Sequence, residues 1–312
     1  MKLLILSKEN LALSVAEALS LLTPTSHKII NNYLFHNSKI NLESRLAFTR
    51  SYYEILFTSS HKELSEKIKS FNWNRIYSNS FCVRTFNLKR SESSLASLIW
   101  LSLKNPNVKL KNATTNIHFF QIKNQIYATL LLGTNQENFN ERKPHKRPSL
   151  HPSSLQPKLA RAMINLTGIK SGKIIDPFCG SGGILLEASL MNLKPIGYDI
   201  DPDMIKRTNA NLKHFKQKAI IKKENALSIK KPITYLVTDL PYALNTKSTD
   251  LNLLFISFLK LLEKNLKVKA VLGFPHFTNY KKLIRATTLK IEHEFKLYMH
   301  KSLSKNIVIV KP

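Results

Sequence analysis

Apolar positions along this chain follow two rhythms, and the way they alternate changes near residue 150. In the first half, Leu11, Val15, Ala18, Leu19 and Leu22 stand three or four residues apart, which predicts a helix over 10–22. Strands are predicted at 2–6, 52–58, 80–86, 116–121 and 125–132, the last two as a hairpin, with a second helix at 95–103. This half therefore reads as mixed α+β. In the second half the two rhythms take turns. Strands are predicted at 173–178, 195–200, 219–223, 235–240, 269–274, 290–300 and 306–311, and helices at 155–166, 182–191, 202–214, 251–264 and 279–286. Repeated β–α units imply a seven-stranded, mainly parallel sheet with helices on both faces. The last two strands lack a helix between them, which predicts an antiparallel terminal hairpin. Residues 141–152 (ERKPHKRPSLHP) have no apolar period and carry three prolines, so they read as a solvated linker.

Composition narrows the class. No apolar run approaches the roughly 18 residues of a membrane span. The opening apolar stretch ends at Lys8 and Glu9, too soon for a signal-peptide core, so an intracellular, cytoplasmic protein is expected. Cys82 and Cys179 have no CxxC partner, which argues against a disulfide framework and a metal site. The net charge of +28 suits a polyanionic partner such as nucleic acid, although an excess of Lys also reflects compositional drift.

The chemistry should lie in the second half. All six aspartates follow residue 150, and Gly180, Gly182 and Gly183 crowd together in a chain with only 8 glycines. Asp176-Pro177-Phe178-Cys179-Gly180-Ser181-Gly182-Gly183 falls between a predicted strand and a predicted helix, where glycines let the backbone turn tightly and approach a ligand. A dinucleotide fingerprint fails because Leu185 stands where its third Gly belongs, and a P-loop fails because Ile174 follows Lys173. Asp199, in Gly197-Tyr198-Asp199-Ile200-Asp201, ends the next strand 23 residues after Asp176 and is placed to accept ribose hydroxyls. Asp201, just before Pro202, suits a helix N-cap instead. Asp239-Leu240-Pro241-Tyr242 ends the fourth strand. A carboxylate and a backbone carbonyl there can accept both N–H bonds of an exocyclic amine and aim its lone pair at a methyl donor, while Tyr242 stacks on the base. Taken alone, the tetrapeptide reads equally well as a strand-end turn.

In combination these stretches resemble the archaeal and eukaryotic methyltransferases acting on N2 of guanosine 10 in tRNA. The likeness runs through HPSSLQPKLARAMINL (151–166), DPFCGSGGILLEASLMN (176–192), GYDIDPDMIKRTNANL (197–212), TDLPYALNTK (238–247) and HKSLSKNIVIV (300–310). It implies a class I, Rossmann-like methyltransferase domain over 153–312. It also implies S-adenosylmethionine held by Asp176, Phe178, Cys179, Gly180, Ser181, Gly182, Asp199, Ile200, Asn225 and Ala226. Asp239, Leu240, Pro241 and Tyr242 would carry the transfer. The first half more weakly resembles that family's ferredoxin-like segment (1–60) and THUMP domain (61–140), an RNA-binding module. Phe81-Cys82-Val83-Arg84 and Leu103–Val108 carry that likeness, and Arg84, Arg90, Lys104 and Lys109 are candidate phosphate contacts. The implied partner is tRNA, joined in eukaryotic relatives by a small activating subunit. The chain departs from the family at Leu240, where a proline is usual, at Asn225, where an Asp is usual, and at Ala243-Leu244-Asn245 on the rim of the base pocket. The rival readings are N2-methylation at another tRNA position, an adenine-N6 DNA methyltransferase, which uses the same amine logic, and a tRNA-binding protein that has lost activity.

Overall fold

The computed structural model describes residues 1–151, 154–242, 248–300 and 303–312; the side chains of 248–250, 299–300 and 303 stand outside that description. The chain divides into two compact units: Met1–Leu11, Pro24–Ser44 and Thr49–Asn135 in the first, and Ala12–Thr23, Arg45–Phe48 and Gln136–Pro312 in the second. The boundary expected at residue 60 falls inside the first unit, and helix α1 (Leu11–Leu22) belongs almost wholly to the second.

In the first unit, β1 (Lys2–Leu6), β2 (His27–Ile30), β3 (Tyr33–His36), β4 (Thr49–Ser59), β5 (Phe81–Phe86), β6 (Thr115–Ile122) and β7 (Gln125–Thr134) form one sheet in the order β2-β3-β1-β4-β7-β6-β5. Antiparallel pairing of β4 with β7 makes it continuous, and only β5 and β6 run parallel. The helices α2 (Leu64–Ser70) and α3 (Glu92–Trp100) bury Leu64, Ile68, Leu95 and Ile99 against Phe81, Val83, Ile117 and Phe119. The β2–β3 hairpin and α2 were not expected. The hairpin turns at Asn31, whose φ of 53° is one that Asn tolerates better than most residues.

The second unit carries β8 (Lys173–Asp176), β9 (Lys194–Asp199), β10 (Ile220–Lys223), β11 (Ile233–Asp239), β12 (Leu266–Pro275), β13 (Lys290–His300) and β14 (Leu303–Lys311) in the order β10-β9-β8-β11-β12-β14-β13. The first five strands are mutually parallel, and β14 runs antiparallel to both β12 and β13, as the expected terminal hairpin requires. Alternate residues feed two cores. Val237, Val271, Ile307 and Ile309 face α4 (Pro157–Leu166) and α5 (Gly183–Leu190). Leu236, Ala270, Leu272, Val308 and Val310 face α7 (Ser248–Asn265) and α8 (Tyr280–Arg285). Helix α6 (Pro202–His214) starts at Asp201, whose side chain accepts the Asp203 N–H at 2.8 Å, the capping role expected of it.

Two buried polar clusters complete this unit. Glu17 of α1 is fully buried; its carboxylate accepts the N–H groups of Ala47 (2.7 Å) and Phe48 (2.9 Å) and the Asn165 side-chain amide (2.7 Å). Burial raises the Glu17 carboxyl pKa, and those hydrogen bonds oppose the shift. Arg45 in turn donates to Asn165, Ile169 and Lys170. The second cluster corrects the expectation of a solvated linker. Arg142, Pro144 and Arg147 are buried. Arg142 pairs with Glu187 of α5 (2.7 Å) and with Glu137 (2.7 Å), and Arg161 of α4 joins the same two carboxylates at 3.0 and 2.5 Å. Both guanidinium groups lie over the Phe139 ring. A sequence without apolar period can still be packed when its charges meet partners of opposite sign in the core.

Candidate active site

The strand order reverses between β8 and β11, and ligands of open α/β sheets bind at such a switch point, outside the carboxyl ends of the strands. There a cavity of about 500 Å³ opens, lined by every expected cofactor and transfer residue except Gly182. His151, Ser154, Leu155, Met204, Leu251 and Leu254 complete much of its wall.

The loop after β8 is pinned from several sides. Asp176 is buried and accepts the Phe178 N–H (3.2 Å) and the Thr238 hydroxyl (2.7 Å), so it ties the loop to β11. Burial pushes its carboxyl up to about 7 against the pull of those hydrogen bonds. Gly180 and Gly182 take φ of 50° and 81°, a region costly for residues bearing a Cβ, and a Cβ on Gly182 would also meet Thr208 at 2.8 Å. Thr208 donates to the Gly180 carbonyl (2.6 Å) and Asn211 to that of Ser181 (2.9 Å), while Ser154 and Ser181 share a hydroxyl contact of 2.7 Å. Cys179 donates its N–H to Tyr198; its thiol is buried, and burial raises its pKa, so it contributes backbone and not nucleophilic chemistry.

Asp199 lies where β9 ends. Its carboxylate accepts the Gly180 N–H at 2.9 Å and the Asp201 N–H at 3.0 Å, which fixes its orientation and leaves lone pairs for a ligand's hydroxyls. Asn225 follows β10 and caps a short turn at Ala226–Ser228 through the Leu227 N–H (2.9 Å). Ala226 is buried, whereas Ile200 is exposed at the rim.

Asp239 ends β11, directly opposite Gly273 of β12. A Cβ on Gly273 would lie 2.6 Å from the Asp239 carboxylate, so this glycine makes the room in which the side chain sits. Burial raises the Asp239 carboxyl pKa, and Lys305, which the sequence reading gave no role, opposes that rise: its ammonium bonds both carboxylate oxygens. Lys305 also lies 5.0 Å from the centre of the Tyr242 ring. The Tyr242 hydroxyl is buried without a partner among the described residues, and burial followed by the Asp239 charge raises the pKa of that phenol. The exposed Phe277 packs edge-on to Tyr242 at 6.3 Å. Leu240 is explained by its backbone: its N–H donates to the Gly273 carbonyl at 2.9 Å, a bond proline lacks the hydrogen to make, and its side chain is buried. Ala243-Leu244-Asn245 lie outside the described residues.

The four expected RNA contacts lie in the first unit and differ in what they offer. Arg84 is engaged within its own unit, pairing with Glu92 (3.0 Å) and donating to the Val83 and Leu110 carbonyls, which leaves it fewer donors to offer a phosphate. Arg90 is exposed and donates to the Ser65 hydroxyl, while Lys104 and Lys109 are exposed. Among the described residues no group of His, Cys, Asp and Glu could hold a metal ion, and no helix is long and apolar enough to cross a membrane.

Removing the Asp199 carboxylate has a calculable cost. Asp199→Ala is expected to weaken cofactor binding by about 1.5–3 kcal/mol, the worth of a hydrogen bond to a charged group. Calorimetry on the two proteins checks this, and equal affinities would reduce Asp199 to a turn-former.

Residues 144–305 match the family described as RMKL-like, methyltransferase domain. Residues 22–210 match a second, described as DNA methylase, which stops short of Asp239 and so contains none of the amine-site residues. A tRNA (guanine(10)-N2)-dimethyltransferase of Methanothermobacter thermautotrophicus is 32% identical over 287 residues, 86% of this chain and 84% of that protein. Its counterparts in Methanocaldococcus jannaschii and Pyrococcus abyssi are 28% and 27% identical, covering 83% and 86% of their own lengths. Among solved structures, TrmN from Thermus thermophilus aligns over 99% of both chains at 16% identity, with a TM-score of 0.49. With its motifs placed at the ends of adjacent strands and its likeness spanning both units, the chain belongs to the tRNA (guanine(10)-N2)-dimethyltransferase family.

Proposed function

We propose that this chain is a cytoplasmic enzyme that transfers methyl groups from S-adenosylmethionine to N2 of guanosine 10 in tRNA, twice in succession as the relatives' name states. The observation that carries the reading is the Asp239 carboxylate at the strand end, beside Tyr242 on one wall of the cavity.

The residues present fit the cofactor. The cavity has the size of a small-molecule site, with Asp199 at one polar end and Phe178, Ile200 and Ala226 as apolar wall. Asp199 would hold the ribose hydroxyls, Asn225 with Ala226 the adenine edge, and the backbone of Gly180 and Ser181 the amino-acid end. The bound cofactor supplies an electrophilic methyl on a sulfonium. The chain's residues do the rest by position: Asp239 and the Leu240 carbonyl accept the two N–H bonds of the guanosine amine, and Tyr242 stacks on the base. Asp239 can also take the proton that the amine loses after transfer. Rate comes from alignment and fixed charge, with no covalent intermediate on the protein.

The first unit supplies the second half of the reading. We assign it the ferredoxin-like segment and the THUMP module, which hold tRNA while the second unit carries out the transfer. Exposed Arg90, Lys104 and Lys109 are its phosphate contacts.

The test is to incubate the purified chain with methyl-labelled cofactor and a tRNA transcript and to map the nucleoside. Dimethylguanosine at position 10 is expected. Label in adenine of DNA would replace this reading with the DNA-methylase one, and cofactor binding without transfer would leave a tRNA-binding protein. Transfer only after addition of a small activating subunit would extend the eukaryotic arrangement to this chain.

A further inference from the structure

We infer that Lys305 is a positioning residue of the transfer reaction: its ammonium keeps the Asp239 carboxylate charged and turned to receive the target amine. This rests on the reading above and adds to it a residue from the far end of the chain.

The geometry is specific to this pair. Lys305 lies on β14, the antiparallel strand, and its residue is 3% exposed. It reaches the carboxylate across β12 at Gly273, where a side chain would also crowd the lysine stem at 3.5 Å. Its ammonium contacts both oxygens of Asp239 and lies against the Tyr242 ring. A buried lysine in contact with an acid and an aromatic ring is costly to maintain unless the acid must stay ionised. The proposed reaction sets that requirement. A carboxylate has only acceptor lone pairs, whereas a carboxylic acid presents an O–H that cannot accept from the amine.

Among the described residues no other cation offsets the burial of Asp239. Asp176 and Asp199 in the same cleft are acids, the nearby Tyr242 carries a phenol, His151 stands on the cavity wall, and β12 contributes only Gly273 opposite the carboxylate. Asp239 is raised by burial and held down by Lys305. An acid is charged above its pKa, so removing the lysine must move the acidic limb of activity to higher pH. Lys305→Gln, neutral and still able to hydrogen-bond, should therefore lose rate steeply on acidification. An opposite charge in direct contact is worth about 10–10³-fold in the ionisation of a carboxyl group. The midpoint of the variant's acidic limb should thus lie about 1–3 pH units above that of the wild type. Lys305→Arg should restore much of the wild-type limb.

The experiment is single-turnover methyl transfer to tRNA from pH 5.5 to 9 for the three proteins, with cofactor titration to verify folding. Carbon-13 NMR of labelled Asp239 follows the same comparison without RNA. Wild-type transfer with a displaced Lys305→Gln limb, rescued by Arg, supports the inference. A uniform loss across pH, an undisplaced limb or an unmoved Asp239 titration overturns it and reduces Lys305 to a packing residue. If Lys305→Gln fails to bind cofactor, Lys305→Met and Lys305→Arg are compared by NMR under the same criterion. A wild type that transfers no methyl to tRNA counts against the proposed substrate and leaves the NMR comparison to decide the lysine.

Discussion

Asp239→Ala is expected to lower methyl transfer by about 10²–10³-fold while leaving cofactor and tRNA affinity nearly intact, as for removal of one preorganised electrostatic contact. The carboxylate lies at the end of β11 beside Tyr242, on a different strand from Asp199 and the Gly180–Ser181 turn it holds. The substitution also strands Lys305, whose ammonium then has no carboxylate partner among the described residues, so Asp239→Asn is the better-folded companion. Asn preserves the shape but places an N–H donor where the amine needs an acceptor, and it should be nearly as slow. Single-turnover rates at saturating cofactor check both variants. More than a tenth of wild-type rate in Asp239→Ala would remove Asp239 from the reaction.

The largest effect on stability is expected at Glu187, far from any reacting atom. Its carboxylate is fully buried and meets Arg142 at 2.7 and 3.2 Å and Arg161 at 3.0 Å. Among the described residues the cluster holds three buried arginines, 142, 161 and 147, against two acids, and both terminal nitrogens of Arg147 already lack a partner there. Glu187→Ala would leave a second positive charge in excess in the same apolar interior. Breaking a buried pair in this way costs about 3–5 kcal/mol, most of it from the charge left behind. The midpoint of denaturant unfolding measures it, and a loss below about 1 kcal/mol would show that the arginines find water.

What the sequence revealed follows from locality. The motifs at Asp176, Asp199 and Asp239 each combine a strand end, a turn and an acid within a few residues, so their chemistry could be read before their neighbours were known. Lys305 could not be found that way: a single lysine preceding an apolar run reads as an ordinary strand residue, and its partner lies 66 positions earlier. Arg142 and Arg147 misled for a related reason. Charge and proline predict solvent exposure unless the compensating acids are known, and Glu187 arrives only with α5. The short helix α2 shows just Leu64 and Ile68 to its core, too few points to reveal a period. The stripe of α1 was legible, but a stripe says that a face will be buried and not which unit buries it.

That last feature bears on the order in which the protein is made. Helix α1 leaves the ribosome well before its buried partners, because Asn165 is translated 148 residues after Glu17 and the apolar face of α4 comes with it. Ala47 and Phe48 can satisfy Glu17 earlier, but Asn165 and the Met163–Leu166 surface cannot. Over the 148 positions from Glu17 to Asn165, made at roughly 5–20 residues per second, α1 must wait with an unsatisfied flank, a period in which exposed apolar surface invites misassembly or a chaperone. The closing of so long a loop is entropically tolerable but slow to find, so docking of α1 should come late and limit the rate of folding. Folding of the second unit therefore waits on a helix made long before its partners.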